Sequence, residues 1–345
     1  MKKLTKYIAM LGLGALGYNA QAQDAQFSQY YASSLYLNPA MAGIEQDFTI
    51  GTAFRSQWRG VSKPYTTNQL SAIMPLSKGV SKKQQFGGIG LSAFNDQSGD
   101  AALRSTGVNL TFAYTKSIKS DLSRFSIGGQ IGVIQKSIDF KNAFWGSYYN
   151  DLGYTNPPYI TESGVSSSLL VPDASLGVMW SFNPSRNYFR SGLSGYLGAT
   201  AAHINRPNES LVEGYSTPMP MTIRAHGGLE FHVNSKMNVG PSFLFATQGG
   251  ASQINAGGYL HYRIIDNPFS PLANSDLIIG TFYRLQDAFI FSTGITNNKL
   301  TLGLSYDMNA SSLKTNTNAR GAYEITLTYR NARDKKRKRF DTPRI

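Results

Sequence analysis

The sequence predicts an all-β fold, a transmembrane antiparallel β-barrel of about 14 strands in an outer membrane. From residue 47 onward, apolar and polar residues alternate with a period of two, which is typical of strands with one apolar and one polar face. Many alternating segments run for about 10 to 14 residues, the length of a tilted membrane-spanning strand. After the N-terminal segment, no stretch reaches the roughly 18 apolar residues of a transmembrane helix.

The composition agrees with a large β structure. The 345 residues include 20 Tyr, 19 Phe and 34 Gly, and only 15% of the chain is charged. Aromatic residues favour pleated surfaces, and Gly is common at bulges and turns. The chain contains no Cys, which excludes a disulfide framework and cysteine-based zinc sites.

Residues 1–22 have the features of a cleavable signal peptide. Lysines precede a short apolar run over 7–18, and Ala20-Gln21-Ala22 supplies small residues at the cleavage positions. We therefore expect cleavage before Gln23 and export of the mature chain. The alternative is a membrane anchor, but the apolar run is shorter than a bilayer core of about 30 Å requires.

The segment 23–46 precedes the first strand, and we interpret it as a short periplasmic segment or a plug of the barrel. Its Asn38-Pro39 pair favours the start of a turn. Gly43 allows the backbone a wider range of conformations shortly before the first strand begins. Composition alone predicts nothing further about this segment.

The barrel is expected to span 47–331. Its alternation is clearest over 220–233, where Ile223, Ala225 and Phe231 share one face and Arg224 and His226 share the other. An even number of strands suits a single-chain bacterial barrel, and closure is needed because lipid cannot hydrogen-bond an open sheet edge. The predicted strands lie near 47–58, 64–76, 85–95, 102–116, 123–136, 173–182, 192–203, 220–233, 237–247, 252–265, 276–284, 287–295, 299–308 and 322–331.

The connections between strands predict an orientation. If the N-terminus is periplasmic, the longest gaps, near 137–172, 204–219 and 309–321, all face outside. The short turn 234–236 then faces the periplasm, as does the connection 266–275, which is longer than usual for that side. Aromatic residues on the apolar face near the periplasmic strand ends predict an interfacial girdle; these are Tyr114, Trp180, Phe182, Phe231, Tyr262 and Tyr329.

Positive charge is concentrated in the tail 332–345. The formal charge of the whole chain is +13, and the tail holds seven basic and two acidic residues. The remaining excess is spread thinly, so nucleic acid is not an expected partner. The tail predicts either docking to an acidic periplasmic partner or anionic lipid, or a solvated disordered end. The candidate docking residues are Lys335, Lys336, Arg337, Lys338 and Arg339.

The residues predict no catalytic centre. His226, Glu230 and His232 share one strand face, where neighbours two residues apart lie about 6.6 Å from each other. Such neighbours are able to share a metal ion, but a hydrated polar lumen is the favoured explanation. No G-x-S-x-G element is present. We therefore expect a protein that is not an enzyme and has neither cofactor nor metal.

The segment from Gln26 to Gly43 closely resembles the opening of the PorP/SprF family, membrane proteins of the type IX secretion and gliding machinery of Bacteroidota. The resemblance continues to the last strand, where it includes 322–325, and so covers essentially the whole mature chain. Ala25 and Met41 depart from it, since Pro and Phe are expected there. The motif residues are Gln26, Phe27, Ser28, Gln29, Tyr30, Asn38, Pro39, Ala40, Gly43, Arg55, Trp58, Tyr65, Tyr306 and Asp307.

The resemblance implies a non-enzymatic outer-membrane component that supports secretion or surface attachment of a partner protein. The implied partners are an adhesin-like surface protein with a C-terminal secretion domain, periplasmic ring components of the machine, and outer-membrane lipid. A passive, porin-like diffusion channel is the alternative. Exposed loop aromatics often mark interfaces, so the expected partner contact is the loop 137–172, although the same residues would also suit a loop packed over the barrel mouth. The residues concerned are Phe144, Trp145, Tyr148, Tyr149 and Tyr154.

Overall fold

A closed antiparallel barrel of 14 strands forms the body of the protein in the computed structural model. Among the described residues, two further short strands, Tyr149–Asn150 (β6) and Gly153–Tyr154 (β7), pair with each other. The structure describes residues 24–59, 63–78, 84–99, 103–118, 123–139, 149–150, 153–154, 167–182, 193–234, 236–265, 275–297, 299–311, 317 and 320–331. The strands are β1 (Phe48–Gln57), β2 (Tyr65–Lys78), β3 (Gln84–Ser98), β4 (Leu103–Ile118), β5 (Ser123–Ser137), β6 (Tyr149–Asn150), β7 (Gly153–Tyr154), β8 (Ser168–Phe182), β9 (Leu193–Ala202), β10 (Thr222–Asn234), β11 (Met237–Gln248), β12 (Ala251–Ile265), β13 (Ser275–Arg284), β14 (Ala288–Thr296), β15 (Leu300–Asn309) and β16 (Arg320–Asn331).

The predicted fold class is confirmed, and each of the 14 predicted strands corresponds to one barrel strand. Closure is made by β1 and β16, which pair from Phe48 with Asn331 to Gln57 with Ala322. We call the end of the barrel at which β1 begins and β16 ends the terminal end. The opposite end, which includes the connection 203–221, is the loop end.

The main difference in boundaries is β8, which begins at Ser168 and not near 173. The sequence there runs Leu169-Leu170-Val171-Pro172, without alternation and with a proline, so it did not predict a strand. The proline is tolerated because β9 pairs with β8 only from Leu176 onward, which leaves one edge of β8 without a neighbouring strand at Pro172.

The alternating residues separate as a membrane barrel requires. The apolar set faces outward, and Leu110, Phe112 and Tyr114 of β4 are each more than half exposed. The expected girdle aromatics Trp180, Phe231, Tyr262 and Tyr329 are likewise outward and exposed near the terminal end. The polar set faces the lumen, where most of its members are buried. Among the described residues, no helix has the length and apolar character to cross a bilayer.

Two of the hydrophobic clusters inside the lumen are formed around the N-terminal segment. That segment contains a 3₁₀ turn (Tyr30–Ala32) and two single-turn helices, α1 (Ser34–Leu37) and α2 (Met41–Ile44). Isolated helices this short are unstable in water, so tertiary packing must hold them. Leu35 has no exposed surface, and burying such a side chain contributes about 1.5–3 kcal/mol.

Candidate functional site

Residues 24–46, which we call the plug, run through the lumen from the loop end to the terminal end. Asp24 contacts Thr222 and Gln248, at the loop-end termini of β10 and β11. At the other end, Gln85 of β3 donates from its amide to the backbone carbonyl of Gly43. The chain therefore crosses the whole lumen before it turns back into β1.

A buried ionic cluster, which we call the clamp, holds the part of the plug that lies toward the loop end. It consists of Ser28 of the plug with Arg55, Arg284, Asp307 and Glu324 of the barrel wall. The Ser28 hydroxyl lies 2.7 Å from both carboxylate oxygens of Asp307, and Arg284 Nη2 donates to that hydroxyl at 2.8 Å. Glu324 accepts the backbone N–H of Ser28 at 2.7 Å. One serine thus connects the plug to four charged side chains from β1, β13, β15 and β16.

The clamp is balanced in charge. Arg55 Nη2 lies 2.8 Å from Asp307 and Nη1 lies 3.2 Å from Glu324, while Arg284 Nη2 lies 3.1 Å from Asp307. All four charged residues are at most 4% exposed. Buried charges are costly unless they are paired and hydrogen-bonded, so the clamp requires all four wall residues together with the plug backbone.

The Asn38-Pro39-Ala40 turn attaches the part of the plug that lies toward the terminal end to the barrel wall. Asn38 Nδ2 donates to the carbonyl of Val178 at 3.0 Å and contacts His226 Nε2 at 3.1 Å. Its Oδ1 accepts from Ala40 N at 2.9 Å, which closes the turn predicted from Asn-Pro. A Cβ at Gly128 of β5 would overlap the backbone of Pro39 and Ala40, so this approach of plug to wall requires glycine.

Aromatic side chains fill the space between these two attachments. Tyr30 packs edge-on against Phe282 at 6.2 Å between ring centroids, and its hydroxyl donates to Ser242 at 3.0 Å. Tyr31 packs edge-on against Tyr259 at 4.8 Å. Edge-to-face pairs of this kind add stability beyond the area that they bury. The plug is therefore packed against the wall as well as hydrogen-bonded to it.

At the loop end, Asp24 is held by the group that we call the latch. Its carboxylate lies 3.1 Å from His203 Nε2 and 2.8 Å from Arg224 Nη2, and it accepts from Thr222 Oγ1 and Gln248 Nε2. The second nitrogen of His203 lies 2.7 Å from Asp173 Oδ1. Burial disfavours the charged imidazole, but the charge of Asp24 and the hydrogen bonds to Asp173 and Asp24 outweigh it and raise the pKa of His203 to about 9. Burial likewise raises the pKa of Asp24, but His203 and Arg224 outweigh it and hold that pKa well below its ordinary value.

We expect the latch to weaken as pH rises. Because the pKa of His203 is raised above its ordinary 6.5, its contribution is complete below that pH and is lost as pH passes about 9. Since the chain has no Cys, a spin label on Ala25→Cys is attached at a single site, next to Asp24. Its mobility should increase between pH 7 and 10, with the midpoint near 9.

The matched control is the same labelled chain with His203→Gln, which should show no transition over that pH range. A transition that survives the replacement would mean that another group governs the mobility of the segment around Asp24.

The structure brings much of the sequence-predicted motif together at the plug. Phe27 packs edge-on against Tyr36, and Gln29 Oε1 accepts a hydrogen bond from Thr326 Oγ1. Trp58 packs against Tyr65 at the loop end. Tyr306 is outside this site, because it faces outward and is 46% exposed. The predicted site residues that lie in the plug are Gln26, Phe27, Ser28, Gln29, Tyr30, Asn38, Pro39, Ala40 and Gly43, and those in the clamp wall are Arg55 and Asp307.

Other predicted site residues fall largely outside the described part of the chain. Phe144, Trp145 and Tyr148 lie there, as do the tail 332–345 and the signal segment. Tyr149 and Tyr154 are described through their backbone, which pairs as β6 and β7.

The three residues considered for metal binding do not converge on one point. His226 contacts Asn38, whereas His232 contacts Asn238 at 3.1 Å and Glu230 accepts from the same asparagine. Within the described ranges, no group of three His, Cys, Asp or Glu side chains is arranged to hold a metal ion.

Sequence reasoning missed most of the wall partners of the plug. Arg284, His203 and Asp173 were not singled out, and Glu324 was placed in the last strand without a partner. The alternation does place Arg284 and Glu324 on the inner face. Their meeting with Arg55 depends on the pairing of β1 with β16, which the pattern within a single strand cannot supply.

Comparison with known proteins gives a family and several distant structural likenesses. Residues 19–329 match the family described as type IX secretion system membrane protein PorP/SprF. The curated proteins contain no match.

The similar solved structures are distant barrels. The toluene transporter TbuX of Ralstonia pickettii is 9% identical, with 87% of this chain and 93% of that chain covered and a TM-score of 0.48. The monoaromatic hydrocarbon channel CymD is 10% identical, with 87% and 91% covered and a TM-score of 0.45. A FadL homologue of Pseudomonas aeruginosa is 11% identical, with 86% and 94% covered and a TM-score of 0.39.

Proposed function

This chain belongs to the PorP/SprF family of type IX secretion system membrane proteins, and from that premise we propose that it supports secretion or surface attachment of a partner protein without catalysing a reaction. It is an outer-membrane barrel. We propose further that it acts with its lumen closed by the plug, so that it serves as a binding component and not as an open conduit.

The plug is the observation that carries the proposal. It occupies the lumen through the clamp, the Asn38 turn and the latch, and Leu35, Ala40 and Ala42 have no exposed surface. A segment held by so many buried contacts is a structural part of the barrel. With the lumen filled in this way, the surfaces left for a partner are those at the two ends.

We propose that the loop between β5 and β8, residues 138–167, contacts the secreted partner through its aromatic residues. The test replaces Phe144, Trp145, Tyr148, Tyr149 and Tyr154 with Ser in the native cell. Proteins with a C-terminal secretion domain should be reduced on the cell surface, and the one that copurifies with the wild-type barrel should be lost. Serine at five polar positions of the same loop is the control. Unchanged copurification in the aromatic variant would refute this contact.

The basic tail 332–345 is proposed to dock a periplasmic ring component of the machine or anionic lipid. It follows Asn331, which lies at the terminal end, and the oppositely charged surface of such a partner would attract it. A chain that ends at Asn331 should still fold, since it keeps all 14 of the described barrel strands. Loss of ring copurification from this truncated chain, at unchanged barrel content, is the expected result.

A passive diffusion channel is the second candidate, because a barrel of 14 strands is wide enough to hold water when it is empty. Planar-bilayer conductance separates the two functions. We expect the wild-type protein to show no stable open level. A stable open pore in the chain that retains residues 23–46 would favour the channel.

A further inference from the structure

The plug does not fill the loop end of the lumen. A chamber of about 560 Å³ remains between the plug and the inner faces of β3, β4, β5, β8 and β9. Tyr36 and Pro39 of the plug line it, and Trp58 and Tyr65 lie in its wall at the loop end. Cavities of this size with a few convergent polar groups are typical of ligand sites.

The basic groups that line the chamber are already paired. Lys136 binds Glu209, His203 binds Asp24 and Asp173, and both Arg224 and Arg284 have carboxylate partners. The chamber therefore has no described cation left over for an anionic ligand. The carboxylates that line it are Asp24, Asp96, Asp173, Glu209 and Asp287.

Asp96 differs from the other four carboxylates. It accepts a hydrogen bond from Thr67 Oγ1 at 2.6 Å, and no described basic residue pairs with it. An unpaired carboxylate in a partly enclosed space favours a cation.

One further feature of the wall suits a cationic donor, and a second acceptor lies deeper in the chamber. That acceptor is Asn109, which pairs in register with Ser92, is 6% exposed, and has an Oδ1 that accepts no hydrogen bond from the described residues. Phe94 lies two residues before Asp96 on the same inner face of β3, and its ring packs edge-on against Tyr36 at 5.7 Å. Acceptors beside aromatic rings are the combination that binds ammonium and guanidinium groups.

We infer that the loop-end chamber is a binding site for one cationic group, a primary ammonium or a guanidinium, which pairs with Asp96. The lysine or arginine side chain of an extended polypeptide and a small free amine are the two sources of this chemistry. The inference goes beyond the proposed function and does not depend on it.

The test uses the full-length protein in detergent and dansylcadaverine, a fluorescent primary amine, as the probe. Fluorescence anisotropy should show saturable binding of the amine and none of its N-acetylated, uncharged form. Asp96→Asn keeps the shape of the side chain and should weaken binding about tenfold or more. Glu213→Gln, an acid on the 203–221 connection outside the chamber lining, should leave binding unchanged.

Competition then separates the two sources. Displacement by a blocked Ala-Lys-Ala peptide but not by Ala-Gln-Ala assigns the site to a polypeptide side chain, whereas displacement by 1,5-diaminopentane alone assigns it to small amines. Equal binding of the charged and acetylated probes, or an Asp96→Asn variant that binds like wild type while circular dichroism shows an intact barrel, would overturn the inference.

Discussion

Replacing Arg55 with Met is expected to lower the free energy of unfolding of the barrel by about 3–5 kcal/mol. Arg55 binds Asp307 and Glu324 at once and is 1% exposed. Without it, Asp307 keeps Arg284 but Glu324 keeps no described cationic partner, so an uncompensated negative charge remains in the lumen. Denaturant unfolding in detergent, followed by tryptophan fluorescence, measures the change.

The control is Arg59→Met, which removes an exposed arginine near the end of the same strand. Arg59 lies over the Tyr323 ring at 4.4 Å and pairs with no buried charge among the described residues, so its loss should cost less than about 1 kcal/mol. A double variant, Arg55→Met with Glu324→Gln, restores the charge balance and should cost less than the two single changes added together. If the Arg55 and Arg59 variants unfold alike, the clamp does not stabilise the protein.

Gly128→Val is expected to expel the plug and open the barrel. A Cβ at this position would overlap the backbone of Pro39 and Ala40, and backbone cannot move aside as a flexible side chain does. Valine favours strands, so the wall itself should still form. Planar-bilayer recordings should change from a closed baseline to a stable open level, and the plug should become sensitive to added protease.

Its neighbour offers a matched control. At Gly129, an added Cβ would meet only Leu176 Cδ2 at 3.6 Å, an ordinary contact on the outer face. Gly129→Val should therefore keep the closed baseline with the same change in residue type. A Gly128→Val protein that stays closed and protease-resistant would show that the part of the plug toward the terminal end does not depend on this close approach.

The strands were predictable because their signal is local. A strand such as 220–233 is recognisable from its own residues. Its side chains point alternately to two faces, and the face in contact with lipid must be apolar. The same logic placed Arg224 and His226 in the lumen, where the structure has them. It failed at the start of β8, because an apolar run with Pro172 has no alternation to detect.

The plug was only partly predictable. The turn at Asn38-Pro39 follows from its residues. By contrast, α1 and α2 are single turns, too short to show the amphipathic repeat from which a helix is predicted. Ser28 is an ordinary serine in the sequence, and only the structure shows that it contacts four charged groups. The motif resemblance singled out Ser28, Arg55 and Asp307 without explaining why they belong together.

Alternation along the chain was therefore enough to establish an outward apolar surface, a polar lumen and the number of strands, because these depend on neighbours in sequence. Closure of the barrel decided the rest. Arg55 and Glu324 lie 269 positions apart and meet because β1 pairs with β16. The 24–46 segment is buried because the closed wall surrounds it. Such contacts depend on strand register across the whole barrel, a property that no local window of sequence contains.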